Sequence, residues 1–447
     1  MSRFPTWEAA GNGLPYATPT LERLPTELLI LVLLEIPDLA SLKSIVLSSP
    51  IFHQAYLTVR QKALYRIVKN HWGLLLGDAM AATRSRGLQF AHHKQEAIAM
   101  LDTWRRKEEI SDLALSSSIP IDEPSNLEET FNLIHLHKVF HFFLKQYETK
   151  VPRPPWISND QWENSILPIK LSHTEKHRFL RALCRLQIYA NIFGEYEHTT
   201  VEKVKYNGWK NSPKSGLAFD EEAYRLFFGT VPPWEFQEVG CLWAFLTTLF
   251  DDIYKEISTG LYELVEKHAT REDWTRELFE ELPEDVQPPW WKGVDKLGNV
   301  EKIWGFSNSL ASMGPEFVFR ILHGMPLIQR DMVMLNGDDE LLSSFPNMNL
   351  TEDNMVPLIY PADRHAVHNY EQLWSTLPYI EQPNLGWKQL HVLPDTPGQS
   401  FEEAIDVQCA RKSVWLWGYA IFDDERLTAW KAPLVEFRLG EEPEFAV

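Results

Sequence analysis

The sequence has little cysteine, no long apolar run and no excess of positive charge, and each shortage excludes a class of protein. Only three cysteines occur in 447 residues, Cys184, Cys241 and Cys409, and they are widely separated among apolar neighbours. We therefore expect no disulfide framework and no cysteine metal site, and we expect an intracellular location, cytoplasmic or nuclear. No segment approaches the roughly 18 apolar residues of a membrane span, and the first residues lack the apolar core of a secretory signal. We expect a soluble protein with no membrane partner.

The charge balance is acidic. The chain carries 43 basic and 62 acidic side chains, which gives a formal net charge of -19. A field of this sign repels phosphate backbones, so nucleic acid is not an expected partner. The same field favours a basic patch on any protein target.

Catalytic motifs are also scarce, since the chain has no GxSxG, phosphate-binding loop, GxGxxG or HExxH. Asp251, Asp252 and Glu256 partly resemble the magnesium motif of terpene synthases, but their spacing is DDxxxE and no second metal motif accompanies them. His137 and His141 share a helical face, whereas zinc requires three or four ligands. We expect no catalysis, metal or cofactor, and keep a helical, magnesium-dependent prenyl-diphosphate enzyme as an alternative.

The pattern of apolar residues predicts a mainly α fold. The 17 Trp, 24 Phe and 14 Tyr indicate a large packed core. Spacings of three and four residues predict three short helices between 21 and 72, with Asp38 capping the second and Ser49 and Pro50 beginning the third. Further helices are predicted over about 88–110, 127–148, 173–197, 219–228, 235–268 and 271–281. The aromatic, β-branched run Val414–Phe422 predicts a short strand, followed by a helix from Asp424 to Trp430.

Composition suggests four segments. Residues 1–20 form a flexible lead-in, 21–65 a small helical domain, 66–292 a large aromatic-rich helical domain with little β structure, and 293–447 a region of mixed helix and loop packed on that domain. A Pro-Pro-Trp triplet recurs at 154–156, 232–234 and 288–290 with unequal spacing. We interpret it as a helix start in which proline fixes the first turn and tryptophan anchors in the core.

The segment from Leu21 to Tyr65 carries the strongest motif. It begins LPTELL, passes through an IPDL break and ends SSPIFHQAY. This pattern resembles the F-box of large fungal F-box families. The resemblance implies a three-helix unit that binds the S-phase-kinase-associated adaptor and, through it, a cullin. The residues assigned to the adaptor-binding face are Leu24, Pro25, Glu27, Leu28, Leu31, Val32, Ile36, Pro37, Leu39, Leu42, Val46 and Phe52.

The apolar residues of this segment also favour a binding partner, independently of the resemblance. Leu24, Leu28 and Leu31 share one face of the first helix, and its remaining surface is also largely apolar. Three short helices make too small a core to cover every such side chain. Some of this surface should therefore meet another surface, and the alternative is that it packs on the rest of the same chain.

A second resemblance lies near the C-terminus. The run from Gly418 to Trp430 reads GYxxxDxxRLxxW and is similar to the endings of many fungal F-box proteins, with Phe422 where tryptophan is usual. We expect it to close the C-terminal fold, with Asp423 or Asp424 capping the last helix. A groove for a target is the alternative.

Together these features predict a non-catalytic subunit of an SCF-type ubiquitin ligase that recognises an unknown protein target. A scaffold that binds the adaptor outside a ligase is an alternative. So is a helical interaction module with a fortuitous F-box pattern.

Overall fold

The computed structural model describes residues 21–105, 123–194, 197, 225–250, 252, 253, 256, 307, 310–336, 370–392 and 412–434. Within them 76% of residues are helical and none forms a strand, which confirms the mainly α fold. The predictions for the lead-in, the helix at 271–281, the third Pro-Pro-Trp triplet and Cys409 lie outside the described residues. The chain divides into two compact units: residues up to Gly73 together with 123–130, and the remainder.

The first unit contains the three predicted helices. After a 3-10 turn at Leu21–Arg23 come α1 (Thr26–Leu34), α2 (Leu39–Ser48) and α3 (Pro50–Trp72). Both predicted caps are confirmed: the Asp38 carboxylate accepts from the Ser41 N–H at 2.9 Å, and Ser49 Oγ accepts from the Ile51 N–H at 3.2 Å. Helix α3 packs against α1 and α2. It continues to Trp72, so the boundary predicted between residues 65 and 66 lies inside a helix.

The second unit is built from helices of very different length. Its longer helices are α4 (Leu76–Arg84), α5 (Phe90–Arg105), α6 (Leu127–Lys150, whose first turn belongs to the first unit), α7 (His173–Phe193) and α8 (Pro233–Thr248). Shorter helices follow: α9 (Pro315–Leu322), α10 (Pro326–Asn336), α11 (Tyr370–Thr376), α12 (Leu385–His391), α13 (Lys412–Leu416) and α14 (Asp424–Ala429). Helix α7 packs against α4 and α8, and α8 packs against α13.

Helix α8 is the interior of the second unit. Every residue from Pro233 to Thr247 is buried, as expected of a helix that is apolar around most of its circumference. Pro233 occupies its first turn, and the Trp234 indole N–H donates to the Glu381 carbonyl at 2.9 Å. The interpretation of the Pro-Pro-Trp triplet is therefore confirmed here.

The triplet at 154–156 behaves differently. Its residues lie in a loop, so the predicted helix start is wrong at this position. The tryptophan still anchors the segment, because the Trp156 indole N–H donates to the Trp430 carbonyl at 2.9 Å and the ring packs edge-on against Trp417.

The predicted strand at Val414–Phe422 is also wrong. The chain forms α13 and then a turn in which Gly418 has φ +75°. Val414, Trp415 and the residues from Trp417 to Phe422 are buried, and a continuous apolar run does not distinguish a buried strand from a buried helix. A second glycine, Gly240 of α8, is required because the Trp415 ring lies against the helix backbone: a Cβ at this position would overlap the ring.

Gly418 provides a test of this packing. Gly418→Ala places a methyl group against the Tyr147 hydroxyl and also forces alanine into a left-handed conformation. Gly87→Ala is a matched control, since Gly87 has φ +78° and open space around its Cβ position. We expect the control to cost about 1 kcal/mol of unfolding free energy, and Gly418→Ala to cost about 2 kcal/mol more. Urea unfolding of both variants measures the difference, and equal losses would contradict the close contact.

Candidate partner-binding face

An apolar face of the first unit is open to solvent. Leu28 and Leu31 of α1 are 45% and 56% exposed, and Leu39 of α2 is 39% exposed. Leu24, at the start of α1, is partly exposed. We call these four residues the leucine face.

The other predicted adaptor-binding residues fall into two groups. Pro25, Glu27 and Pro37 are exposed, and Val32 and Ile36 are partly exposed, so all five are accessible to a partner. The second group is buried, and its members would support the accessible residues from inside the unit rather than contact a partner. These are Leu42, Val46 and Phe52.

Helix α1 exposes leucines because almost all of its side chains are apolar. Leu29, Leu33 and Leu34 are buried, and the helix has only Thr26 and Glu27 as polar residues, so its outer side is apolar as well. Covering the exposed part of one leucine is worth about 1 kcal/mol. Exposed apolar residues grouped on one helix in this way are typical of a site that another surface covers.

Further exposed apolar residues lie outside the predicted set: Leu47 is 71% exposed, and Ile51 and Leu57 are about half exposed. The sequence pattern missed them because Leu47 and Ile51 occupy its variable positions and Leu57 follows its last residue. The only signal for them in the sequence is that they are apolar and lie next to residues that match the pattern.

Polar groups beside the leucine face hold its helices in place. Hydrogen bonds from the Ser41 N–H and hydroxyl lower the pKa of Asp38 below its ordinary value, so this cap stays ionised at neutral pH. Arg66 of α3 forms an ion pair with Glu35 at 2.8 Å, but both side chains are exposed and the pair contributes little stability.

The C-terminal motif, residues 418–430, makes its contacts within the second unit. Arg178 of α7 pairs with Asp423 at 2.8 Å, and Arg426 pairs with Glu175 at 2.6 Å. The Asp423 carboxylate also accepts from the hydroxyls of Ser172 and Thr174.

Consequently Asp423 precedes α14 but its side chain does not cap the helix, so the predicted cap is wrong. Asp424 instead accepts from the Leu385 N–H at the start of α12, at 2.6 Å.

Two aromatic residues of the C-terminal motif, Tyr419 and Phe422, are buried too. The Tyr419 hydroxyl donates to Gln237 Oε1 at 2.9 Å and contacts His391 Nε2 at 2.9 Å. Phe422 packs edge-on against Trp430 with centroids 4.9 Å apart. Burial lowers the pKa of His391 to about 3, so this imidazole is neutral at physiological pH. These contacts support the expected closing role and leave the buried aromatic residues unavailable to a target.

A network of buried ion pairs continues along α7. Arg181 pairs with Glu238 at 2.6 Å and with Glu235 at 3.2 Å, and Arg185 pairs with Glu235 at 2.6 Å. Burial by itself lowers the pKa of Arg181, but the two carboxylates outweigh it and raise the pKa, so the guanidinium stays charged.

Among the described residues, the remaining sequence candidates are not assembled into a site. Asp252 and Glu256 are exposed, while Asp251 lies outside the described residues. The rings of His137 and His141 stack with centroids 5.9 Å apart, and His135 points outward. In the described part of the chain, no three His, Cys, Asp or Glu residues are grouped so as to hold a metal ion. No described helix is long and apolar enough to cross a membrane.

Comparisons with protein-family models, curated protein sequences and solved structures gave no match to this chain.

The Arg178–Asp423 pair predicts how the stability of the fold depends on pH. Burial alone would raise the pKa of Asp423, but hydrogen bonds from Ser172 and Thr174 and the charge of Arg178 lower it below the ordinary value. The pair therefore stabilises the fold fully above about pH 4, the unfolded pKa of aspartate, and less as pH falls through the lower folded value. Asp423→Asn should cost about 3 kcal/mol at pH 7, and the deficit should shrink towards pH 3.

Thermal unfolding of parent and variant between pH 7 and pH 3 measures this deficit. Glu425→Gln, at an exposed neighbouring position, is the control and should change little across the range. A deficit that is independent of pH would contradict the assignment.

Proposed function

We propose that this protein is the target-recognition subunit of an SCF-type ubiquitin ligase. The leucine face carries the proposal, because it exposes on α1 and α2 the leucines at which the motif resembles an F-box. Its partner is the S-phase-kinase-associated adaptor, which links the chain to a cullin. The second unit holds an unidentified target protein.

The proposed mechanism requires no bond chemistry from this chain. A receptor of this kind binds the adaptor at one surface and the target at another. It thereby raises the effective concentration of target lysines near the charged ubiquitin-conjugating enzyme. The buried C-terminal motif supports this division of roles, because it stabilises the second unit internally.

Adaptor binding can be tested at the two most exposed residues of the leucine face. Leu28→Asp with Leu31→Asp should reduce adaptor co-purification at least tenfold, because two charges replace side chains that the partner would bury. Leu24 and Leu28 would serve less well, since Leu24 is partly buried and its replacement risks unfolding.

The matched control is Leu74→Asp with Ile328→Asp, which changes two exposed apolar residues of the second unit. This variant should retain the adaptor. Circular dichroism checks that both variants fold. Normal adaptor binding by a folded Leu28→Asp, Leu31→Asp variant would refute the proposal.

The ligase and scaffold alternatives predict different results for the co-purification of cullin. A ligase subunit should co-purify with cullin and adaptor together, and its loss should stabilise at least one protein. Binding of the adaptor without cullin, with no protein stabilised, would favour the scaffold.

A further inference from the structure

The outer side of α6 differs in charge from the rest of the chain. Residues 131–146 contain no aspartate or glutamate, although 62 of the 447 residues are acidic. His135, Lys138, Phe142 and Lys145 are spaced by three, four and three residues, which aligns them along one helical face. The histidine and both lysines are exposed, and Phe142 is partly exposed. We call these four residues the basic stripe.

Phe319, His323 and Met325 lie beside the middle of the basic stripe, and we call these three residues the apolar corner. The His323 ring, just after α9, contacts the Phe142 ring with centroids 4.5 Å apart, and the Phe319 ring contacts Phe142 at 5.3 Å. Two residues further along the chain, Met325 is 66% exposed. Cationic and apolar groups are therefore neighbours on one surface of the second unit.

In the part of the chain that the structure describes, the acidic side chains on or against α9 have basic partners of their own. Glu316 is paired with Arg86, and Glu197 is paired with Arg320 at 2.7 Å. Glu148, one helical turn beyond Lys145, is paired with Lys176 at 3.7 Å. Among the described residues, the lysines of the stripe thus present positive charge locally, within a protein whose overall charge is strongly negative.

We propose that the basic stripe and its apolar corner bind an acidic peptide segment that carries an apolar side chain. Carboxylates of the segment pair with Lys138 and Lys145, and its apolar residue packs beside Phe142 and Met325. The proposal rests on the proposed function, because this segment would belong to the target. The local charge reverses the preference for a basic target that the net charge alone suggests.

A peptide selection on the isolated full-length protein tests this. A randomised twelve-residue peptide library is captured on the parent, on Lys138→Glu with Lys145→Glu, and on a control, Lys170→Glu with Lys431→Glu. The control changes two exposed lysines elsewhere and gives the same net charge. We expect parent and control to enrich peptides rich in Asp and Glu with an aliphatic or aromatic residue. We expect the stripe variant to bind the enriched peptides about tenfold more weakly.

Two further arms separate alternatives. Met325→Gln should reduce the apolar preference of the selected peptides without removing their acidic character. Single-stranded RNA of random sequence should bind poorly, and RNA binding as tight as that of the selected peptides would show a general polyanion surface and overturn the proposal. So would enrichment of non-acidic peptides, or equal binding by the stripe variant. The selection needs no adaptor, so its outcome is distinguishable from failure of the leucine face.

Discussion

The second unit depends on the buried guanidinium groups of α7. Arg178 binds the C-terminal motif, Arg181 binds α8, and Arg185 reaches both α8 and, at 3.6 Å, Asp78 of α4. Removing one member of a buried ion pair leaves an uncompensated charge and costs several kcal/mol. The arginines therefore fix which helices lie against α7, and the apolar contacts fill the remaining space.

Aromatic packing follows from this arrangement. Helix α8 is apolar enough to be enclosed on all sides, and glycine at 240 lets the Trp415 ring lie directly on its backbone. The turn at Gly418 then brings Tyr419 back to Gln237 on the same helix. Ion pairs and close ring contacts thus hold the C-terminal segment against α7 and α8. The short motif in this segment therefore stabilises the fold of the second unit.

Local chemistry was predictable from the sequence, whereas contacts between distant segments were not. The Asp38 and Ser49 caps depend on neighbours within three residues, and both were predicted. The twelve adaptor-binding residues were predicted as a set, but only the structure separates exposed Leu31 from buried Phe52. Asp423 or Asp424 was predicted to cap α14. The Asp423 carboxylate instead pairs with Arg178, 245 residues earlier in the chain, and no local pattern reveals such a partner.

The exposed leucine face has a consequence for the supply of this protein in the cell. Apolar surface that stays uncovered promotes self-association as concentration rises. A chain made in excess of whatever covers Leu28 and Leu31 would therefore be lost to aggregates or to quality control. Under the proposed function, its abundance would then follow the abundance of the adaptor, and recombinant yield would improve when the two are produced together.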